Sequence, residues 1–319
     1  MRSKLLQLLR QTNGYISGQE ISKQLGISRT AVWKHMEELR KNGYELEAVP
    51  RKGYRLLNDP NRAGEDEIKA KLQTQTLGQE IIYKNEVTST QEEAHEAARK
   101  GAAEGTIIVA DRQLKGKGRL GRKWESPPGS GLWFSLILRP PIPPQEAPQL
   151  TLLTAVAVTE AVTEATGLQP QIKWPNDILL NGKKVAGILT EMQSDPDRIQ
   201  AVIVGIGINI NQMEFPEELS DIATSLKQES EGTTYSRADF IAILLSRYEY
   251  WYHHYLKHGF LDVKKRWEAL TFTIGKKIKA TTVTKTLIGT AVGITDDGVL
   301  LLKKEDGEIE HIYSADISL

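Results

Sequence analysis

Cysteine is absent from all 319 residues, which excludes disulfides, thiolate metal sites and a cysteine nucleophile. Long apolar runs are absent too. No stretch has the length needed to cross a bilayer, and the opening MRSKLLQLLRQTNG lacks the apolar core and small-residue cleavage site of a signal peptide. The expectation is a cytoplasmic protein with no membrane partner. No His or Asp cluster has metal-ligand spacing, no Ser-His-Asp order is recognisable, and there is neither an internal repeat nor a low-complexity tract. Any catalysis must therefore rest on positioning and on cationic stabilisation of charge. A net charge is also lacking, since 41 Lys and Arg balance 41 Asp and Glu. The balance conceals an asymmetry: residues 1–60 hold 11 basic against 6 acidic side chains, an excess of +5 that leaves −5 on the remainder. A small basic module on an acidic body is a nucleic-acid footprint that the residue pattern must support.

That pattern is present. Leu5, Leu6, Leu8 and Leu9 suit one short amphipathic helix. Ile21 and Leu25 share a face of a second, Gly26 fits a left-handed stop, and Ser28 can cap a third helix bearing Val32, Met36 and Leu39. Two extended runs follow, YELEAV and YRLL, joined by a turn at Pro50, Arg51, Lys52 and Gly53. A basic hairpin after a helix-turn-helix is a winged-helix arrangement. Ser28, Arg29, Thr30, Lys34 and His35 then face a DNA groove, and Arg51 and Lys52 tip a wing toward phosphates. A small helical protein-interaction domain with a solvated charged face is the alternative.

Residues 58–66 (NDPNRAGED) read as a linker, so the expected domains are 1–60, 67–273 and 274–319. The middle region should be α/β, with helices over 89–100, 150–166 and 236–258 and strands near 106–110, 132–138, 177–192 and 201–210. The last region, with turn signals at Asp296-Asp297-Gly298 and Glu305-Asp306-Gly307, should be a small β-barrel packed on the middle one.

Four segments carry the chemistry. Asp111 to Ser126, DRQLKGKGRLGRKWES, has three Gly among six Lys or Arg. It spells G-x-G-x-x-G but runs on through Pro127 and Pro128 into a strand, so a Rossmann turn is excluded, and no Walker Ser or Thr follows. A flexible cationic loop that closes over an anion remains, as does a merely solvated one. In KWPNDILLNGKKVAGILTE, Asn181-Gly182 predicts a hairpin with Leu180 opposite Lys183, Leu179 opposite Lys184 and Ile178 opposite Val185. Lys184, not Lys183, then shares the face of Asp177. In AVIVGIGININ the even positions are apolar while Gly205, Gly207 and Asn209 line the other face, a bare strip that a ligand or a backbone can approach. Finally VTSTQ opens a helix, with Ser89 and Thr90 as caps or as contacts to a small polar ligand.

Together these segments resemble the bifunctional biotin protein ligases of bacteria, from the helix-turn-helix through GKGRLGRKW, KWPND, GKKVAGIL and GIGININ to the last strands. The resemblance implies an α+β multi-domain chain: a winged helix, a central domain like class II aminoacyl-tRNA synthetases, and an SH3-like barrel. It implies that biotin and Mg-ATP form biotinyl-5′-adenylate, and that a lysine of a biotin carboxyl carrier domain accepts the biotin. It also implies a homodimer that represses biotin genes at an inverted-repeat operator, with the adenylate as corepressor. Ser89, Thr90, Gln91 and Gln113 would bind biotin, with Lys117, Gly118 and Arg119 in a loop ordering over it. Lys184 would meet the carboxylate and the α-phosphate, Trp124 would cover the adenine, and Asn176 and Asn209 would hydrogen-bond it. Lys184, Arg119 and Asp177 would be catalytic, Asp177 serving Mg2+ or the nucleotide. The family loop commonly reads AGRGR, and Lys117 keeps that charge without the bidentate geometry of arginine. The competing readings are a lipoate-type acyl-lysine ligase and a ligand-sensing transcription factor without turnover.

Overall fold

The computed structural model describes residues 1–41, 43–58, 61–195, 198–282 and 285–318. The first 58 residues form three helices, α1 (Arg2–Gln11), α2 (Gly18–Leu25) and α3 (Arg29–Lys41), followed by the hairpin β1 (Glu45–Val49) and β2 (Gly53–Asn58). Gly26 stops α2 at φ 65°, as its place between two amphipathic stretches requires, and the Ser28 hydroxyl accepts from the Ala31 N–H at 3.1 Å at the start of α3. Leu5, Leu6, Ile21, Val32, Met36 and Leu39 bury their apolar faces in a core of their own.

The expected linker is shorter than its composition suggested. Helix α4 (Glu65–Lys69) begins inside it, and the Tyr44 hydroxyl donates to the buried Glu67 carboxylate while Arg2 Nε lies 2.9 Å from Asp66.

The middle region carries strands β3 (Ile81–Val87), β4 (Ile107–Gln113), β5 (Gly116–Lys117), β6 (Lys123–Trp124), β7 (Gly131–Leu138), β8 (Gln171–Lys173), β9 (Asp177–Leu180), β10 (Lys183–Ser194) and β11 (Ile199–Asn209). Its helices are α5 (Thr90–Arg99), α6 (Gln149–Thr166), α7 (Leu226–Glu229), α8 (Arg237–His258) and α9 (Leu261–Leu270). Seven strands make one sheet in the order β3-β4-β7-β11-β10-β9-β8, with only β3 and β4 parallel. Alternation along β11 sends Val202, Val204, Ile206 and Ile208 into the same core that the apolar residues of α6 and α8 enter. The opposite face presents Gly205, Gly207 and Asn209, the strip read from the sequence.

The hairpin of β9 and β10 departs from the expected register by one residue. Leu180 and Leu179 face Lys183 and Lys184, but Ile178 faces Ala186, because Val185 is a bulge. The physical reason lies on the other edge. The Lys184 N–H donates to Ile222 O and its carbonyl accepts from Thr224 N–H, so a segment remote in sequence holds β10 there before β11 takes over at Ala186.

The last region holds β12 (Lys277–Thr281), β13 (Thr286–Ile294), β14 (Leu300–Lys303), β15 (Ile309–Ile312) and β16 (Asp316–Ser318), an antiparallel sheet ordered β15-β14-β13-β12-β16. Ile278, Leu300 and Leu302 join the same core as the middle region, so this sheet does pack on it. Among the described residues no helix is long and apolar enough to cross a membrane.

Candidate active site

Beside the bare face of β11 lies a cavity of about 740 Å3. Ser89, Thr90, Gln91, Gln113, Lys117, Gly118, Arg119, Trp124, Asn176, Asp177, Lys184 and Asn209 all line it. Residues up to 120 positions apart, from Ser89 to Asn209, thus converge on one volume.

One end is a buried polar cluster. Ser89 is the N-cap of α5 and accepts from Gln91 N–H, so the capping expectation holds for it. Thr90 does something else. Its N–H donates to Gln113 Oε1 at 2.8 Å, and its hydroxyl lies 2.9 Å from that of Ser135. Ser135 donates in turn to Gln91 Oε1 at 2.9 Å, and Gln91 Nε2 donates to Ile203 O at 3.1 Å. Gln113 Nε2 donates to Ser126 Oγ at 2.8 Å. Ser135 and Ser126 were not singled out, although a lone hydroxyl in the apolar run GLWFSLIL is a readable signal. Gly205 makes room for the cluster: a Cβ there would stand 2.6 Å from Gln91 Oε1.

The other end is cationic. Lys184 Nζ lies 2.6 Å from Asp177 Oδ1, as the shared face required, whereas Lys183 Nζ turns away to Ser220 O at 3.0 Å. The indole of Trp124 rests on the paired glycines Gly187 and Gly207, where Cβ atoms would stand 2.8 and 2.5 Å from the ring, and Lys184 Nζ sits 5.1 Å from its centroid. The Trp124 indole N–H is buried without a partner. Asn176 donates to Ile188 O at 2.8 Å and accepts from Arg119 Nη1 at 3.0 Å, and Asn209 Nδ2 donates to Thr224 O at 3.0 Å.

In the cationic loop β5 and β6 pair, with Gly118 N–H donating to Arg122 O at 2.7 Å around a tight turn in which Leu120 has φ 55°. Carboxylates hold its cations: Lys117 meets Glu92 at 2.8 Å, Lys123 meets Glu125 at 2.5 Å, and Arg122 meets Asp316. Arg119 Nη2 also donates to Ser314 Oγ at 2.8 Å. Burial lowers the Arg119 pKa from the usual guanidinium value, against the pull of Asp316 and Asp177. Nothing in the sequence links residue 122 to residue 316, because only the docking of the last sheet brings them together. Phe215 and Ile222, also missed, come from an irregular segment without periodicity.

The second candidate site lies on the N-terminal module. Ser28, Arg29, Thr30 and Lys34 are exposed on or beside α3, and Arg51 and Lys52 are exposed at the hairpin tip. His35 is half-buried, its Nδ1 3.3 Å from Glu38. Trp33, 56% exposed, stands among them and was not anticipated.

A basic helix-turn-helix module precedes an α+β domain whose cavity has one neutral, hydrogen-bonded end and one cationic end. Matches to family models agree region by region. Residues 2–55 match an HTH domain, residues 84–209 the biotin/lipoate A/B protein ligase family, and residues 273–319 the biotin protein ligase C-terminal domain. The chain is 54% identical over 322 residues to the bifunctional ligase/repressor BirA of Bacillus subtilis, covering 100% of this chain and 98% of that one. It is 30% identical over 318 residues to BirA of Escherichia coli, covering 99% and 96%. A biotin protein ligase from Aquifex aeolicus, solved with biotin and ATP, superposes with a TM-score of 0.66 at 36% identity, covering 75% of this chain and 98% of that one. The chain belongs to the bifunctional ligase/repressor family of biotin protein ligases.

Proposed function

We propose that the chain joins biotin to ATP as biotinyl-5′-adenylate, passes the biotin to a lysine of a carrier domain, and represses biotin genes through its winged helix. The observation that carries the enzyme reading is the single cavity with a neutral, hydrogen-bonded end and a cationic end. A ureido ring needs fixed donors and acceptors in a dry pocket, and Ser89, Thr90, Gln91 and Gln113 supply them. The valerate carboxylate and the α-phosphate both need positive charge, and Lys184, Arg119 and Lys117 supply it.

In the first step a carboxylate oxygen attacks the α-phosphorus and pyrophosphate leaves. Lys184, on the floor of the site, stabilises charge growing at phosphorus, and Arg119 orients the acceptor. In the second step the carrier lysine, as a free amine, attacks the acyl carbon, AMP leaves, and one proton is released. Trp124 covers the adenine, and the side chains of Asn176 and Asn209 bound its edge. Mg2+ would be held largely by the nucleotide phosphates, with Asp177 offering one carboxylate. That fits a site where, among the described residues, no three metal-ligating side chains gather. The ion would neutralise the triphosphate.

On the N-terminal side, residues 1–60 would read one half-site, so a homodimer reads an inverted repeat. Ligand that favours the dimeric state acts as corepressor, and the setting for operator and carrier alike is the cytoplasm. Incubation with ATP, a carrier domain and either biotin or lipoate, followed by mass analysis of the carrier, tests the enzyme. Biotin-dependent addition is expected. Addition of lipoate instead, or no addition with ligand-dependent DNA binding, would replace the proposal by one of the competing readings.

A further inference from the structure

Arg237 opens α8, and its side chain is 4% exposed. That is an unfavourable place for a cation, because the first turn of a helix carries the positive end of its dipole. Nor is the residue needed as a cap, since the Ser236 hydroxyl already accepts from Asp239 N–H at 3.2 Å. What Arg237 does instead is join three parts of the molecule that are far apart in sequence. Its Nη1 donates to Asp111 Oδ1 at 2.8 Å and to Gly131 O at 3.2 Å. Its Nε donates to Asn61 O at 2.8 Å, and its backbone N–H donates to Asn61 Oδ1 at 2.7 Å.

Each partner leads somewhere. Asp111 stands two residues before Gln113 of the polar cluster, and its Oδ1 also accepts from Gly129 N–H at 3.3 Å, so it ties together both ends of the cationic loop. Gly131 pairs with Asn209 across β7 and β11. Asn61 belongs to the connection that continues into α4, where Glu67 and Asp66 meet Tyr44 and Arg2 of the N-terminal module. Asn61 Nδ2 also donates to Tyr235 O at 2.6 Å, fixing the connection from both sides.

We propose that Arg237 is a positioning residue that couples the ligand cavity to the DNA-binding module, through Asp111 and Gly131 on one side and Asn61 on the other. The inference rests on the proposed function, in which the cavity binds biotin and ATP and the module binds DNA. A shift of the loop base or of the strand end at Asn209 moves the guanidinium, and the guanidinium holds the tether. Linkage requires the reverse as well, so operator binding strengthens ligand binding by the same factor. A route of contacts is not itself evidence of coupling, which is why the test reads coupling directly.

The probe is an operator duplex selected from a randomised pool by the full wild-type chain with biotin and ATP present. Its affinity is then measured with and without biotin plus ATP for wild type, Asn61→Ala and Arg237→Lys. Asn61→Ala removes the side-chain bonds to the Arg237 N–H and to Tyr235 O, but leaves the Nε bond to the residue 61 carbonyl and leaves Arg237 on Asp111. It should melt within a few degrees of wild type and biotinylate the carrier at about the wild-type rate, while the ligand-dependent gain in operator affinity, typically about 5–150-fold in coupled systems, is reduced. Arg237→Lys keeps the charge but cannot fork between Asp111 and Asn61, so it should lose the gain even if the first variant folds poorly. A full gain in both variants would overturn the inference alone. Wild-type operator affinity that ignores ligand would overturn the corepressor reading and the inference with it.

Discussion

Gly205 and Gly207 lie two residues apart on one face of β11, yet an added methyl at each would strike a different partner, and so alanine should dissect the cavity. Neither has a positive φ, so alanine is conformationally acceptable at both and the effect is steric. At Gly205 the new Cβ would stand 2.6 Å from Gln91 Oε1, against ordinary contact of about 3.5–4 Å, so Gln91 must retreat by roughly 1 Å. Ser135 then loses its acceptor and Ile203 O its donor, both in buried positions. At about 1–3 kcal/mol for each of the two orphaned groups, Gly205→Ala should destabilise the chain by about 2–6 kcal/mol and lower Tm by roughly 3–12 °C, with biotin binding weakened.

At Gly207 the Cβ would stand 2.5 Å from the Trp124 indole nitrogen, which has no hydrogen-bond partner to lose. Only packing and the Lys184 contact suffer, about 0.5–1 kcal/mol, and the stiffer unfolded chain offsets a similar amount. Stability should therefore hardly change. If Trp124 stacks on adenine, its displacement costs about 1–3 kcal/mol of nucleotide binding, or roughly 5–150-fold in apparent ATP affinity. Denaturant melts, calorimetric biotin titration without ATP, and pyrophosphate release against ATP concentration separate the two. Equal destabilisation by both alanines, or unchanged ATP dependence in Gly207→Ala, would refute the assignment of the two ends.

Lys184→Ala should slow adenylate formation by about 10²–10³-fold, the range for removing one preorganised charge from a reacting centre, while Lys183→Ala should stay within a few fold; equal rates would contradict the face assignment. A chain starting at Glu65 should keep measurable ligase activity but lose DNA binding, and should melt lower because the Tyr44 and Arg2 partners of Glu67 and Asp66 are gone; failure to fold at all would show that the N-terminal core is not separable. The Glu191 carboxyl is held below the usual carboxylate range chiefly by a hydrogen bond from His95, Nε2 to Oε2 at 2.9 Å. A carboxylate lowered in the folded state contributes stability that is complete above its unfolded pKa and disappears as pH falls through the folded one. His95→Ala should thus destabilise more at pH 7 than in acid, where only its bond with Gln193 and its packing are lost, which urea melts at both pH values would show.

Much of the candidate site is local enough to read from the sequence. Asn181-Gly182 closes a two-residue hairpin whatever surrounds it, so the assignment of Lys184 rather than Lys183 to the face of Asp177 survives even the bulge at Val185. Glycines on alternate positions of a strand announce a bare strip, and the helix-turn-helix spacing announces itself through caps and a 3.6-residue period. Lys115 to Trp124 announced its cations, but not that Glu92, Glu125 and Asp316 would hold them in a folded hairpin. The bulge, the Ser135 bridge, the Arg122–Asp316 pair and the Asn61–Arg237–Asp111 junction all depend on which surfaces meet after the layers pack. Hydrophobic period and turn chemistry are properties of neighbours along the chain. A contact between residues 176 positions apart, such as Asn61 with Arg237, is set by the docking of whole elements, and only the tertiary structure decides it.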